Sequence, residues 1–129
     1  MIEGLPTARL LVDTASMPVG LGVRAASDLE RQLLFRHQDY HLDVMFQDAG
    51  AAGSFVWGQI VSCSTGVATV DARVDVHDRS GDLVASAWSD EFGEFSVTTP
   101  WERGGSLAVA VADERFVCPV SPERTEDDR

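Results

Sequence analysis

The chain has 129 residues and a formal charge of −11, with 44% of its residues apolar and 24% charged. That length suits one soluble domain, which at this size buries roughly two-thirds of the surface its unfolded chain exposes. The acidity speaks against a nucleic-acid backbone as partner, because phosphates are held by clustered cations. All ten basic residues are arginines, and the absence of lysine removes Schiff-base chemistry.

The opening "MIEGLPTARLLVDT" lacks a basic region followed by a long apolar core, so no secretory signal is expected. No later run approaches the roughly 18 apolar residues of a membrane helix. A cytoplasmic address follows as the expectation. There Cys63 and Cys118 stay reduced, as small hydrophobes buried in strands. Segment 25–35 has Ser27 as a candidate cap with Glu30 three residues later, the signature of a helix start. Its "RQLLFR" reads equally well as a strand, and both readings stay open.

From Tyr40 onward the apolar period is two. Tyr40, Leu42, Val44 and Phe46 share one face, with His41, Asp43 and Met45 on the other. Further runs are Phe55–Cys63, Val70–Val76 (Val70, Ala72, Val74 and Val76 inward), Phe95–Val97 and Leu107–Val111. After Leu83, alternation puts Leu83, Ala85 and Ala87 on one face and Val84, Ser86 and Trp88 on the other. "QDAGAAGS", "STG", "DRSGD" and "WERGGS" supply turns between these runs. Seven or eight short strands punctuated in this way predict an all-β fold, a single antiparallel β-sandwich. The apolar "ARLLV" and "RQLLF" mark residues 1–50 as an extension that packs on or lengthens the sandwich. Residues 51–120 are its body, and the acidic tail 121–129 is expected to be disordered.

"SDEFGEF", Ser89–Phe95, is the most distinctive run. Three carboxylates and a glycine between aromatics suit a calcium loop, a carboxylate pair or a turn. As a turn, Asp90 accepts backbone N–H bonds, Gly93 takes a positive φ, and Phe95 re-enters the core ahead of Val97. As a calcium site, Asp78, Asp82, Asp90, Glu91 and Glu94 would have to converge, since calcium takes six to eight oxygens. The run lacks the alternating ligand ladder of an EF-hand. His37 and His41, with Asp39 and Asp43 nearby, have a zinc-like spacing on a helix. There is no HExxH, and on a strand His41 and Asp43 belong to a polar outer face. No G-x-S-x-G elbow is present, and neither cysteine has a histidine beside it in sequence.

Several of these stretches together carry a family resemblance. "VWGQIVS" with its central Gly58 is similar to the opening strand of carboxypeptidase regulatory-like domains. "ARVDVHDRSGDLVASAWSDEFGEF" resembles their next hairpin and its Asp-x-x-Gly-x-Phe signature, here Asp90, Gly93 and Phe95. "GGSLAVAVADERFVCPV" resembles the closing strands, and "RQLLFRHQDYHLDVMFQ" an extension found beside such domains in bacterial proteins near sigma-factor regulatory genes. The resemblance implies a transthyretin-like sandwich and is silent on activity; with no credible catalytic set among the residues, the expectation is a module without catalysis, cofactor or metal. Its implied role is an accessory or regulatory subunit binding another protein, a sigma-factor-linked regulator by that resemblance.

Chemistry found on related sandwiches lacks its residues here. The chain ends "SPERTEDDR" rather than Tyr-Arg-Gly-Ser, holds one tyrosine, Tyr40, where an iron site of dioxygenase type needs two, and has no lysine for an isopeptide bond. What remains is a binding surface. Trp88, Glu91, Glu94 and Trp101 are the candidate partner-binding residues, because tryptophan concentrates at the energetic centres of interfaces and acids steer basic partners. Trp57 and the other two tryptophans also suit lids over the core edges. A calcium- or carbohydrate-binding module is the alternative.

Overall fold

A computed structural model describes residues 4–14, 30–48, 53–69, 71–100, 104–112 and 114–120. Nine strands follow one another there: β1 (Arg9–Asp13), β2 (Glu30–His37), β3 (Tyr40–Asp48), β4 (Ser54–Ser62), β5 (Arg73–Asp78), β6 (Leu83–Trp88), β7 (Glu94–Thr99), β8 (Gly105–Val111) and β9 (Glu114–Val120). They form a five-stranded sheet in the order β1-β2-β3-β4-β7 and a four-stranded sheet in the order β6-β5-β8-β9, with every neighbouring pair antiparallel. The fold is all-β and sandwich-like, with one strand more than the upper end of the seven or eight that turn spacing predicted. The additional strand is β1, built from "RLLVD".

One core lies between the sheets. Leu33, Phe35, Leu42, Val44, Phe46, Val56, Ile60 and Phe95 enter it from the larger sheet, and Val74, Val76, Leu107, Val109, Phe116 and Cys118 from the smaller. Each set follows alternation along its strand, as a pleat that buries one face requires. The helix reading of 25–35 fails over residues 30–35, which belong to β2. Leu33 and Phe35 alternate inward opposite Val44 and Leu42, so pairing along β3 decides between two equal local preferences. Residues 25–29, with the Ser27 cap, lie outside the described residues, as do the 121–129 tail and Val70.

Two further expectations change. A bulge between Val76 and His77 shifts the β5–β6 register so that Ala85 faces Val76 while Leu83 faces His77. One extra residue reverses the faces beyond it. Val84 therefore packs against the core and Leu83 is 55% exposed, the opposite of simple alternation. Cys118 is buried in β9, where burial pushes its thiol far up from the ordinary 9.0. Cys63, by contrast, sits half-buried in the turn after β4 rather than in a strand, and both cysteines are free.

At one edge the chain joins the sheets itself. Before entering β1, the amide of Ala8 donates to the Val117 carbonyl and the amide of Val117 to the Pro6 carbonyl, each at 2.9 Å. Thr7 thus bridges β9 in parallel, and two residues later the chain pairs with β2 in the other sheet. At the opposite edge β6 and β7 are the terminal strands, connected by residues 89–93.

Candidate functional site

The 89–93 connection is the SDEFGEF run. Asp90 Oδ1 accepts the amides of Phe92 (2.9 Å) and Glu94 (3.0 Å), while the Asp90 carbonyl accepts that of Gly93 at 2.9 Å. Gly93 has φ +73°, and its carbonyl accepts the Ile60 amide at 2.9 Å. A Cβ on Gly93 would lie 2.6 Å from the Ile60 carbonyl oxygen, so position 93 needs glycine for both conformation and space. Phe95 then turns inward at 4% exposure. It lies over Gly58, its partner across β4 and β7, where a Cβ would sit 3.0 Å from the ring.

The β5–β6 turn repeats this arrangement. Asp78 Oδ1 accepts the amides of Ser80 and Asp82 at 3.0 Å, and Gly81 has φ +92°. The shared spelling, Asp-x-x-Gly followed by an acid and then an apolar residue, stands in the sequence at 78–83 and 90–95. Sequence reading took each turn separately and missed the repeat. The repeat also removes the convergent calcium site. Asp78 and Asp82 stand before β6 and Asp90, Glu91 and Glu94 after it, at opposite ends of a six-residue strand about 20 Å long. Among the described residues no group of three His, Cys, Asp or Glu is arranged to hold a metal.

The zinc spacing dissolves similarly. His37 is on the inner side of β2, stacked on Phe116 with ring centroids 4.7 Å apart and Nε2 3.5 Å from Glu114. His41 is half-buried and lies four residues on, across the two-residue turn, in the outer row that includes Arg36 and Val61. Asp39, at that turn, accepts the Ser62 hydroxyl at 2.6 Å and the Ser64 amide at 2.9 Å. The bonds from Ser62 and Ser64 hold its carboxyl below the ordinary 3.8. This is a latch between two loops.

A surface groove gathers two of the four candidate partner-binding residues, Trp88 and Glu94. It encloses about 740 Å³, with Trp88 and Ser86 of β6 on one side, Asp90 and Glu94 beside the turn, and the outer face of the five-stranded sheet as its floor. The floor consists of two cross-strand rows, Asp43–Gln59–Glu94 and Gln32–Met45–Trp57–Ser96. Trp57 is half-buried, with the Phe55 ring tilted 34° against it and ring centroids 5.2 Å apart. Trp88 is 61% exposed and Phe92, in the adjoining turn, 58%. Glu91 is exposed in the same turn, whereas Trp101 lies outside the described residues.

Trp88 is held from one side. The Arg73 guanidinium lies 5.7 Å from its ring centroid, Arg73 Nε donates to Asp75 Oδ1 at 2.8 Å, and the Ser86 hydroxyl donates to the same oxygen at 2.7 Å. Burial pushes the Asp75 carboxyl up, but the Ser86 and Arg73 bonds and the Arg73 charge outweigh it and leave it below 3.8. On the floor, Gln32 Nε2 donates to Asp43 Oδ1 at 2.8 Å and Gln59 Nε2 to the Phe92 carbonyl at 2.9 Å. Sequence reading missed this floor because Gln32, Met45, Trp57 and Gln59 become neighbours only through pairing across three strands.

Comparison with protein-family models, curated proteins and solved structures finds no match to this chain. No helix among the described residues is long and apolar enough to cross a membrane.

Proposed function

We propose that this chain is a non-catalytic module that binds another protein, and that the partner seats in the groove at the β6–β7 edge. The observation that carries this reading is the pair of exposed aromatics, Trp88 and Phe92, beside a groove edged by Asp90 and Glu94. Large aromatics left in water on a rigid frame are what an interface anchor requires. Net charge adds steering toward a basic partner.

The finer reading is a transthyretin-like, carboxypeptidase regulatory-like domain, cytoplasmic, serving as an accessory subunit in a bacterial sigma-factor-linked system. Its support is the sequence resemblance, together with the contact between Gly58 and Phe95, two positions that carry that resemblance. A carbohydrate-binding module is the second reading, favoured by Trp57 and Trp88 beside planar amide and carboxylate groups in an open groove.

The test is cross-linked capture of partners by the intact chain, by Trp88→Ala and by Glu91→Lys/Glu94→Lys. The expected result is loss of the same stoichiometric partner in both variants, with thermal midpoints within about 2 °C of the parent because the altered side chains are exposed. Undiminished capture by both variants would remove the groove from the interface.

A further inference from the structure

Resting on that groove as the binding site, we infer that what it recognises is a guanidinium group, an arginine side chain on an exposed segment of the partner protein. The groove's polar groups ask for donors. Asp43 and Glu94 stand two residues apart in one cross-strand row, and neither has a cation within ion-pair distance among the described residues. Gln32 and Gln59 each turn an amide nitrogen onto a neighbour, which leaves their Oε1 atoms as acceptors. Among the described residues, no arginine or histidine lines the groove. A ligand with hydroxyls would find few donors; a planar cation with five N–H groups and no acceptor matches what is offered.

The aromatic groups fit the same ligand. Trp57 lies in the row beside Asp43 and Gln59, and Trp88 forms the facing wall. The chain itself supplies an instance of the contact, since Arg73 already holds its guanidinium over the Trp88 ring. Indole is the best aromatic acceptor for a cation, and guanidinium stacks on it while its edge bonds carboxylates. Arg73 takes its own acid, Asp75, so its charge is matched before the groove is filled. Asp43 and Glu94 have no such match among the described residues.

The experiment titrates the full chain with three capped Gly/Ser hexapeptides carrying two arginines, two lysines or two citrullines. Binding is followed through the indole N–H signals in amide correlation spectra. Citrulline keeps the shape of arginine and loses its charge. The arginine peptide is expected to shift the Trp57 and Trp88 indoles in a saturable way, and to bind about tenfold tighter than the citrulline peptide, the worth of one charge-assisted pair. Asp43→Asn/Glu94→Gln should weaken it by about tenfold. Asp82→Asn/Glu114→Gln, which removes the same charge far from the groove, should leave it within about twofold because exposed charges at that range are screened.

Equal binding of arginine and citrulline peptides with both indoles shifting would overturn the guanidinium inference and leave the groove reading standing. Arginine binding that moves neither indole, or that both charge-removing pairs weaken equally, would show attraction to the overall acidity and overturn both. Saturable shifts with an oligosaccharide panel and none with the arginine peptide would replace both with the carbohydrate reading. A lysine peptide binding as tightly as arginine would overturn the choice of guanidinium over ammonium.

Discussion

Thr99 ends β7 with no surface exposed, and its hydroxyl meets no hydrogen-bond partner among the described residues. An unpaired buried hydroxyl costs its desolvation without return, whereas valine fills nearly the same space with a methyl. Thr99→Val is therefore expected to stabilise the fold by about 1 kcal/mol, a rise of about 4 °C in thermal midpoint for a chain of this size. An equal or lower midpoint by calorimetry would mean that the hydroxyl is satisfied. Gly58 marks the opposite situation, a side chain that must be missing. A Cβ there would press on both the Asp43 carbonyl, at 2.6 Å, and the Phe95 ring. The aromatic completes the core over the glycine, so the two positions form one packing unit separated by 37 residues.

Among the elements, those that alternation could identify were those with one buried face. β3 and β8 follow their sequence pattern residue by residue, because Leu42, Val44 and Phe46, or Leu107, Val109 and Val111, have no other favourable way to leave water. Segment 30–35 was ambiguous because leucine and arginine suit a helix while pairing with β3 is invisible locally. The β6 faces were misread beyond Ala85 because a bulge leaves no fixed spelling. Of the groove, Trp88 and Glu94 were legible as exposed residues around a turn, whereas the floor needed the register of four strands. Loop latches were equally hidden. Asp39 ties the β2–β3 turn to the loop after β4, and its depressed carboxyl carries a pH signature. A folded-state value below the unfolded one adds stability that is present above about 3.8 and is lost as pH falls through the lower folded value. Asp39→Asn is thus expected to lower the thermal midpoint at neutral pH and to bring parent and variant together at acid pH. Parallel midpoint curves from pH 7 to 2 would exclude the latch as a contributor.

Across the whole molecule the two sheet edges are treated differently. On one side residues 6–8 pair with β9 before the chain enters β1, so the terminal strand of the four-stranded sheet is covered and both sheets are stitched by one continuous segment. On the other side Trp88 and Phe92 stand exposed beside the groove. Open strand edges invite pairing with other chains, so covering one edge while leaving aromatic surface at the other confines association to a chosen face. Ala8→Pro tests this asymmetry. It deletes the amide that donates to Val117, and the preceding Thr7 is already in extended pairing, which tolerates a following proline. The expected cost is about 1–2 kcal/mol, with the β9 edge opening enough to give concentration-dependent self-association in sedimentation. Because the groove lies at the far edge, arginine-peptide affinity should be kept in the variant monomer. Lost affinity in a folded monomer would mean that the two edges are coupled through the core rather than independent.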